Sequence, residues 1–304
     1  MNQDVVRELA RRCAGERIAA VDMDATVIES WKQEAKATYE GGCGYQPGPK
    51  GTPAAWAEMN VVVAEEFRDG NVPVLKDPLR AAKRAFAALP GTIRERYFRG
   101  DSGCDEAELP SWLRDEKRAG GPEGFIGLAV KECAQVEYFP EETAANRYRE
   151  PLRTIAIRIR KKQRELFADG SAAKHFAVRT NLWDWKPKRL LEWHREKAGT
   201  IEAVHDVVKN ELAGGVLPRG RYGANAAWFR LAAITYNVLT AMKRLVLPPD
   251  MQTARPKRLR FLIFQQPGKP IQHARKTVLR LGRSWNRFSN WKYAMEVLAF
   301  PTPA

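Results

Sequence analysis

The chain has 304 residues, with 51 Lys and Arg against 36 Asp and Glu, so its formal net charge is +15. A hydrophobic fraction of 44% with nine Trp predicts a packed globular core and excludes intrinsic disorder. So much positive charge does not suit an enzyme of small neutral metabolites. It favours nucleic acid as the partner, ahead of an anionic membrane surface.

The cysteines and the apolar segments indicate the environment in which the chain works. Four cysteines are scattered without a Cys-x-x-Cys pair, which favours reduced thiols over a zinc site or a disulfide framework. The polar N-terminus lacks the apolar centre of a signal peptide. The longest apolar stretch, 224–242, contains Asn225, Arg230 and Asn237, so it predicts a buried helix rather than a membrane span. We expect a cytoplasmic protein without membrane contact.

The first strong pattern is the apolar run from Arg17 to Ile28, which contains Asp22 and Asp24. Side chains alternate along a strand, so the two acids share one face and the apolar residues take the other. A carboxylate in a buried strand is costly unless it is paired or binds a metal. The run therefore predicts a metal-binding carboxylate on a central strand, with a solvated edge strand as the alternative.

Several short elements are predicted around this strand. In chain order they are a helix over 4–13, a Gly- and Pro-rich loop over 41–53, strands over 54–57 and 60–67, and a turn over 68–71. Asp77 followed by Pro78 is typical of a helix start, and this helix is predicted to end near Leu89, before Pro90 and Gly91.

A second acid, Asp101, lies in the sequence Gly100-Asp101-Ser102-Gly103, where the strand predicted over 92–101 ends. Turns favour Asp for reasons unrelated to function, so this residue alone indicates only a turn. The elements predicted next are a helix over 106–117, a strand over 124–130, and a hairpin of 154–160 with 175–180 whose Arg158 and Arg160 face solvent or phosphate.

A third acid, Glu202, lies in a helix predicted over 188–212, bent or broken near Gly199 and Thr200 and ended by Gly214-Gly215. Lys209 comes seven residues after Glu202, two turns along the same face. From this helix alone, the simpler interpretation is a surface helix with charge pairs at i,i+4 spacing.

The C-terminal part is strongly basic. After a mostly apolar helix predicted over 224–245, the stretch from Lys243 to Lys292 contains thirteen Lys or Arg and a single acid, Asp250. Aromatic residues are interleaved with this charge: Phe261, Phe264, Trp285, Phe288 and Trp291. Such a mixture favours a folded surface along a phosphate backbone over a tail that only confers solubility.

Taken together, the acids Asp24, Asp101 and Glu202 are separated by 77 and 101 residues. The predicted order of strand, hairpin, helix, strand and acid-bearing helix is typical of ribonuclease-H-like folds. Grouped carboxylates can hold two Mg²⁺ about 3.5–4 Å apart for phosphoryl displacement, and oxygen ligands favour Mg²⁺ or Mn²⁺ over zinc.

Three motifs carry a resemblance to a known family. They are Val21-Asp22-Met23-Asp24-Ala25-Thr26-Val27, Phe98-Arg99-Gly100-Asp101-Ser102-Gly103, and the run from His194 through Glu202 and Lys209-Asn210-Glu211-Leu212 to Arg230. The chain resembles the DDE transposases of bacterial insertion sequences, in the group with a Tyr-Arg-Glu-Lys signature. The resemblance covers most of the chain from about residue 18, and the segment after Glu202 is its most specific part.

The resemblance implies a metal-binding triad of Asp24, Asp101 and Glu202, with Asp22 as a less favoured substitute for Asp24. It implies two Mg²⁺, replaceable by Mn²⁺, and double-stranded DNA as partner, bound by a homodimer in the nucleoid. Lys209 matches the signature Lys and is expected to hold a DNA phosphate. The signature Tyr and Arg would fall at Arg195 and Ala198, which do not match, so His194, Arg195 or Lys197 is expected to supply the missing phosphate contact.

The resemblance also implies a division of the chain into an α/β ribonuclease-H-like core, an inserted strand-rich segment and a basic C-terminal extension. The expected parts are a helix over 1–17, a first part of the core over 18–103, an insertion over 104–187, the Glu-bearing and following helices over 188–247, and the basic segment over 248–304. Such transposases carry a helical DNA-binding region before the first catalytic strand. Because 17 residues precede Ile18, we expect a shortened copy.

Two alternatives belong to other functional classes. Asp22-Met23-Asp24-Ala25-Thr26 also matches the D-x-D-x-T motif of haloacid-dehalogenase-like phosphatases, in which Asp22 would be the nucleophile and Asp24 the general acid and base. A transposase remnant that binds DNA without cutting it needs only the basic surface.

Overall fold

The computed structural model describes residues 1–296 except 14, 25, 39–40, 48–53, 73–76, 102–103, 105–107, 119–123, 131–136, 139–151, 161–172, 266–267, 274, 282–288, 290–291 and 295. Its α-helices are α1 (Asn2–Arg12), α2 (Pro78–Ala87), α3 (Glu108–Arg118), α4 (Pro187–Asp206), α5 (Tyr222–Leu245) and α6 (Pro256–Leu259). Short π-helices cover Val207–Glu211 and Arg260–Phe264, and a 3-10 helix covers Pro249–Met251.

The strands are short and fall into three sheets. They are β1 (Ile18–Met23), β2 (Ile28–Glu29), β3 (Lys36–Ala37), β4 (Cys43–Pro47), β5 (Ala54–Trp56), β6 (Val61–Ala64), β7 (Phe67–Asp69), β8 (Glu95–Arg99), β9 (Gly124–Val130), β10 (Glu137–Tyr138), β11 (Leu152–Arg160), β12 (Ala173–Thr180), β13 (Gly268–His273) and β14 (Lys276–Leu281).

The main sheet has eight strands in the order β10-β11-β12-β9-β8-β1-β5-β6. The strands β1, β8 and β9 run parallel to one another at its centre, and the flanking strands pair antiparallel. This is a mixed α/β fold. The predicted hairpin is confirmed, because residues 153–160 of β11 pair with all of β12.

Helices cover both faces of this sheet because its central strands are apolar on both sides. Ala19, Val21 and Met23 of β1 pack with α1, α2 and α3 in the largest core cluster. The alternate residues of β1, Ala20 and Asp22, face α4. The predicted two-residue alternation is therefore confirmed, and it assigns Asp22 to the face that α4 covers.

The prediction of a loop over 41–53 is wrong for the first half of that range. Cys43–Pro47 forms β4, which pairs with β2, β3 and β7 in a small second sheet. Glycine permits this pairing, since a Cβ at Gly44 would lie 2.3 Å from the backbone oxygen of Ile28. The Gly and Pro content indicated irregular backbone, but here glycine allows close strand contact.

Two helix predictions have different outcomes. The start at Asp77 is confirmed, because its carboxylate accepts a hydrogen bond from the Arg80 backbone N–H at 3.1 Å. The break predicted near Gly199 is wrong, because α4 continues through Gly199 and Thr200 and changes to π-helical geometry only at Val207. No side chain obstructs the space around Gly199, so it is accommodated as an ordinary helical residue.

The helix α5 packs beside the edge strand β6 through a buried polar contact. The Asn237 carboxamide accepts a hydrogen bond from Val62 N and donates to Val62 O and Asn2 Oδ1, each at 2.7 Å. These bonds satisfy backbone groups that an edge strand would otherwise leave unpaired. The predicted helix is confirmed, but it is buried on one face only, since Leu231 and Val238 are exposed. Within the described residues, no helix is long and apolar enough to cross a membrane.

We predict that Asn237→Ala lowers the free energy of unfolding by about 1–3 kcal/mol, because it leaves the buried Val62 N–H without its acceptor. Chemical denaturation monitored by circular dichroism measures this change. Asn210→Ala is the matched control, since Asn210 is exposed and donates only at the surface to Asp206. Equal stabilities of the two variants would contradict the assigned role of Asn237.

Candidate functional site

Two of the predicted acids follow neighbouring parallel strands. The register of β1 and β8 pairs Asp22 with Arg99, and Asp24 and Asp101 come two residues later in each segment. Because the carboxyl ends of parallel strands meet at one sheet edge, the backbone brings these acids to the same place. Gly100 keeps this turn compact, since a Cβ there would lie 2.8 Å from Cys104 Cβ.

Beneath these acids lies a buried ion pair between Asp22 and Arg99. The guanidinium Nε is 2.5 Å from Asp22 Oδ1, and Nη2 is 2.9 Å from Oδ2. Only 2% of the Arg99 side chain and none of the Asp22 side chain is exposed. This two-bond geometry fixes both side chains and joins β1 to β8 on the face covered by α4.

The same ion pair holds α4. Arg99 Nη1 donates to Trp193 O at 2.8 Å, and the guanidinium carbon lies 4.9 Å from the centre of the Trp193 ring system. The Thr200 hydroxyl donates to Asp22 Oδ2. Glu202, two residues after Thr200, is exposed on this helix beside the strand ends.

Asp24 lies in the electric field of the other two acids. Burial raises its pKa, and the carboxylates of Asp101 and Glu202 raise it further, whereas the ammonium group of Lys197 lowers it. Lys197 Nζ is 3.4 Å from Asp24 Oδ1, with only 10% of the Lys197 side chain exposed. The fold thus concentrates negative charge at Asp24 and offsets part of it with one lysine.

The donor chemistry of these three carboxylates suits a hard divalent cation. Asp24 and Asp101 are half-buried and Glu202 is exposed. Within the part of the chain that the structure describes, no three His, Cys, Asp or Glu side chains are close enough together to hold a metal ion. The donors therefore fit Mg²⁺ or Mn²⁺ in kind, while their side chains are spread more widely than a bound ion would hold them.

The predicted basic residues take different positions. Lys209 Nζ donates to Val27 O at 2.7 Å and to Thr26 Oγ1 at 3.2 Å, just beyond Asp24. Lys197 contacts Asp24, whereas the Arg195 side chain is exposed. His194 is packed against the strand end, with its Nε2 3.4 Å from Gly100 O, and burial lowers its pKa.

Sequence reasoning missed Arg99 and Thr200. The sequence motifs assign neither residue a role of its own, yet their side chains join β1, β8 and α4. The available signal was their spacing, since each precedes a predicted acid by two residues, as Asp22 does.

The phosphatase alternative is wrong. Its nucleophile would be Asp22, which is completely buried and has both oxygens hydrogen bonded to Arg99. A nucleophile must reach the substrate phosphorus, and this carboxylate is enclosed by the sheet and α4.

The chain is thus a mixed α/β protein with acids at the ends of adjacent parallel strands and on the helix packed over them. The family model described as transposase DDE domain group 1 matches residues 1–300. The chain belongs to this family, and the resemblance to DDE transposases is confirmed. No curated protein matches the chain.

A buried histidine on α4 yields a prediction about pH. Burial, together with the charges of Lys209 and Lys197, lowers the pKa of His205 to about 3. The unfolded chain takes up this proton near pH 6.5. The folded state is therefore disfavoured as the pH falls from 6.5 towards 3, by about 1.4 kcal/mol per pH unit.

We expect His205→Gln to reduce the dependence of unfolding free energy on pH between pH 6 and 4 by about that slope. Urea denaturation at several pH values measures it. Altered packing would displace the whole curve, whereas loss of the titration changes its slope, so parallel curves for parent and variant would refute the assignment.

Proposed function

We propose that this chain catalyses divalent-metal-dependent cleavage and strand transfer of DNA at the ends of an insertion sequence. The observation that supports this most is the electrostatic coupling of the three acids at Asp24. Asp101 from the adjacent strand and Glu202 from α4 both act on its carboxylate. Membership of the DDE transposase family supports DNA as the substrate class.

In this proposal Asp24, Asp101 and Glu202 hold the metal, Mg²⁺ or Mn²⁺. When bound, the metal supplies activation of the attacking hydroxyl and stabilisation of the leaving oxygen. Lys209, which donates to Thr26 and Val27, is the residue we propose to hold a DNA phosphate near the acids. Lys197, already at Asp24, is better situated than the exposed Arg195 to replace the missing signature cation.

We further propose that the core is ribonuclease-H-like. The strand order β6-β5-β1-β8-β9, with β1, β8 and β9 parallel, supports this. Residues 18–130 and 188–247 then form the core, and 248–304 form a basic extension. Because β9 pairs in parallel with β8, we begin the insertion after Val130 rather than at 104. A homodimer would cut paired ends together.

We predict that Asp24→Asn, Asp101→Asn or Glu202→Gln each lowers Mg²⁺-dependent nicking of DNA about a hundredfold or more, because each removes a charged oxygen ligand. Glu192→Gln is the matched control, since Glu192 is also exposed on α4. Gel assays measure nicking, and fluorescence anisotropy measures DNA affinity, which should remain within about threefold of the parent.

The outcomes separate the candidate functions. Nicking lost in the triad variants and kept in the control supports the transposase. If the parent binds DNA but shows no nicking with Mg²⁺ or Mn²⁺, the non-cutting remnant is the better description. Equal nicking by parent and triad variants would remove these acids from the site.

A second prediction concerns the basic hairpin of β13 and β14, on which Lys269, Lys276 and Arg280 are exposed. If it follows the DNA backbone, changing all three to Gln should flatten the plot of log affinity against log salt concentration by up to about 3 units.

The control for the hairpin is the triple variant Arg7→Gln, Arg11→Gln and Arg12→Gln on α1, across the sheet from α4. It removes the same number of positive charges from the chain. A salt slope that changes equally in both triple variants would indicate an effect of net charge and not of the hairpin.

A further inference from the structure

A single network of side-chain contacts joins the three segments that carry the proposed metal ligands. Its members are the ion pair and the threonine hydroxyl described above, and each precedes one acid by two residues. The pairs are Asp22 with Asp24, Arg99 with Asp101, and Thr200 with Glu202. Because these members contact one another directly, the distances among the three segments are set at this point.

We propose that Asp22, Arg99 and Thr200 are positioning residues that set the separation of the three carboxylates and thereby the affinity for the divalent metal. This inference rests on the proposed function, because it assumes that the three acids bind the metal. Asp22 is not itself a ligand, since its oxygens accept hydrogen bonds from Arg99 and Thr200.

The position of α4 depends on these side-chain contacts more than the relative position of β1 and β8 does. The register of β1 and β8 is fixed by backbone pairing, which holds Asp24 and Asp101 side by side. The helix α4 is packed on the sheet through apolar side chains, including Ile201 and Val204. Apolar contact is not directional and permits small rotations and translations of a helix. The Thr200 hydroxyl supplies a directional bond within one turn of Glu202.

The Arg99 guanidinium also contacts α4, at positions one and two turns before Thr200. It donates to Trp193 O at 2.8 Å and lies 3.4 Å from the Glu196 carboxylate. The helix is therefore held at more than one level along its axis by groups that belong to β1 and β8. Groups that orient metal ligands typically change metal affinity by about 10–100-fold when they are removed.

The test is Thr200→Val, which preserves the shape of the side chain and removes its hydroxyl while leaving the ion pair of Asp22 and Arg99 in place. We expect the Mn²⁺ affinity, measured by calorimetry without DNA, to fall about tenfold or more. Mn²⁺-dependent nicking should fall with it at subsaturating metal and recover partly at high metal concentration. Thr200→Ser keeps the donor and should retain the parent affinity.

Thr235→Val is the matched control, because the Thr235 hydroxyl donates to Leu231 O within α5 at 2.8 Å. It should match the parent in Mn²⁺ affinity. Parent affinity in Thr200→Val, or equal losses in Thr200→Val and Thr200→Ser, would overturn the inference. A parent that neither binds Mn²⁺ nor nicks DNA overturns the proposed function instead. A loss confined to Thr200→Val supports both.

Discussion

The ion pair of Asp22 and Arg99 is the interaction on which the arrangement of the site depends. It bridges two parallel strands on the face covered by α4, and the same groups accept from Thr200 and donate to the backbone of that helix. Burying two charges is costly, and an apolar pair of similar size is often at least as stabilising. The polar contacts specify orientation, which apolar packing alone does not provide.

Asp24, two residues after Asp22, lies in a different electrostatic environment. The negative charge of Asp22 is compensated by Arg99. Burial and two neighbouring carboxylates raise the pKa of Asp24, and Lys197 is the cation close to it. Two acids only two residues apart thus have separate roles. The inner one joins structural elements, and the outer one carries the unbalanced charge that a divalent cation would relieve.

Other contacts hold the helices that lie near these acids. The helix α5 is joined to the edge strand β6 through Asn237, and the N–H groups of Gly214 and Gly215 close the end of the acid-bearing helical region on Val208 O and Lys209 O. The basic hairpin of β13 and β14 adds exposed positive charge suited to a polyanionic substrate.

The sequence by itself determined the features that depend on neighbouring residues. These include the alternation in β1, the helix start at Asp77, the hairpin of β11 and β12, and the family motifs around Asp24, Asp101 and Glu202. Only the tertiary structure decided that Asp22 pairs with Arg99, that Lys197 contacts Asp24, and that Cys43–Pro47 is a strand. The physical reason is that hydropathy and turn propensity act over a few residues, whereas Asp22 meets a partner 77 residues away and a second 178 residues away.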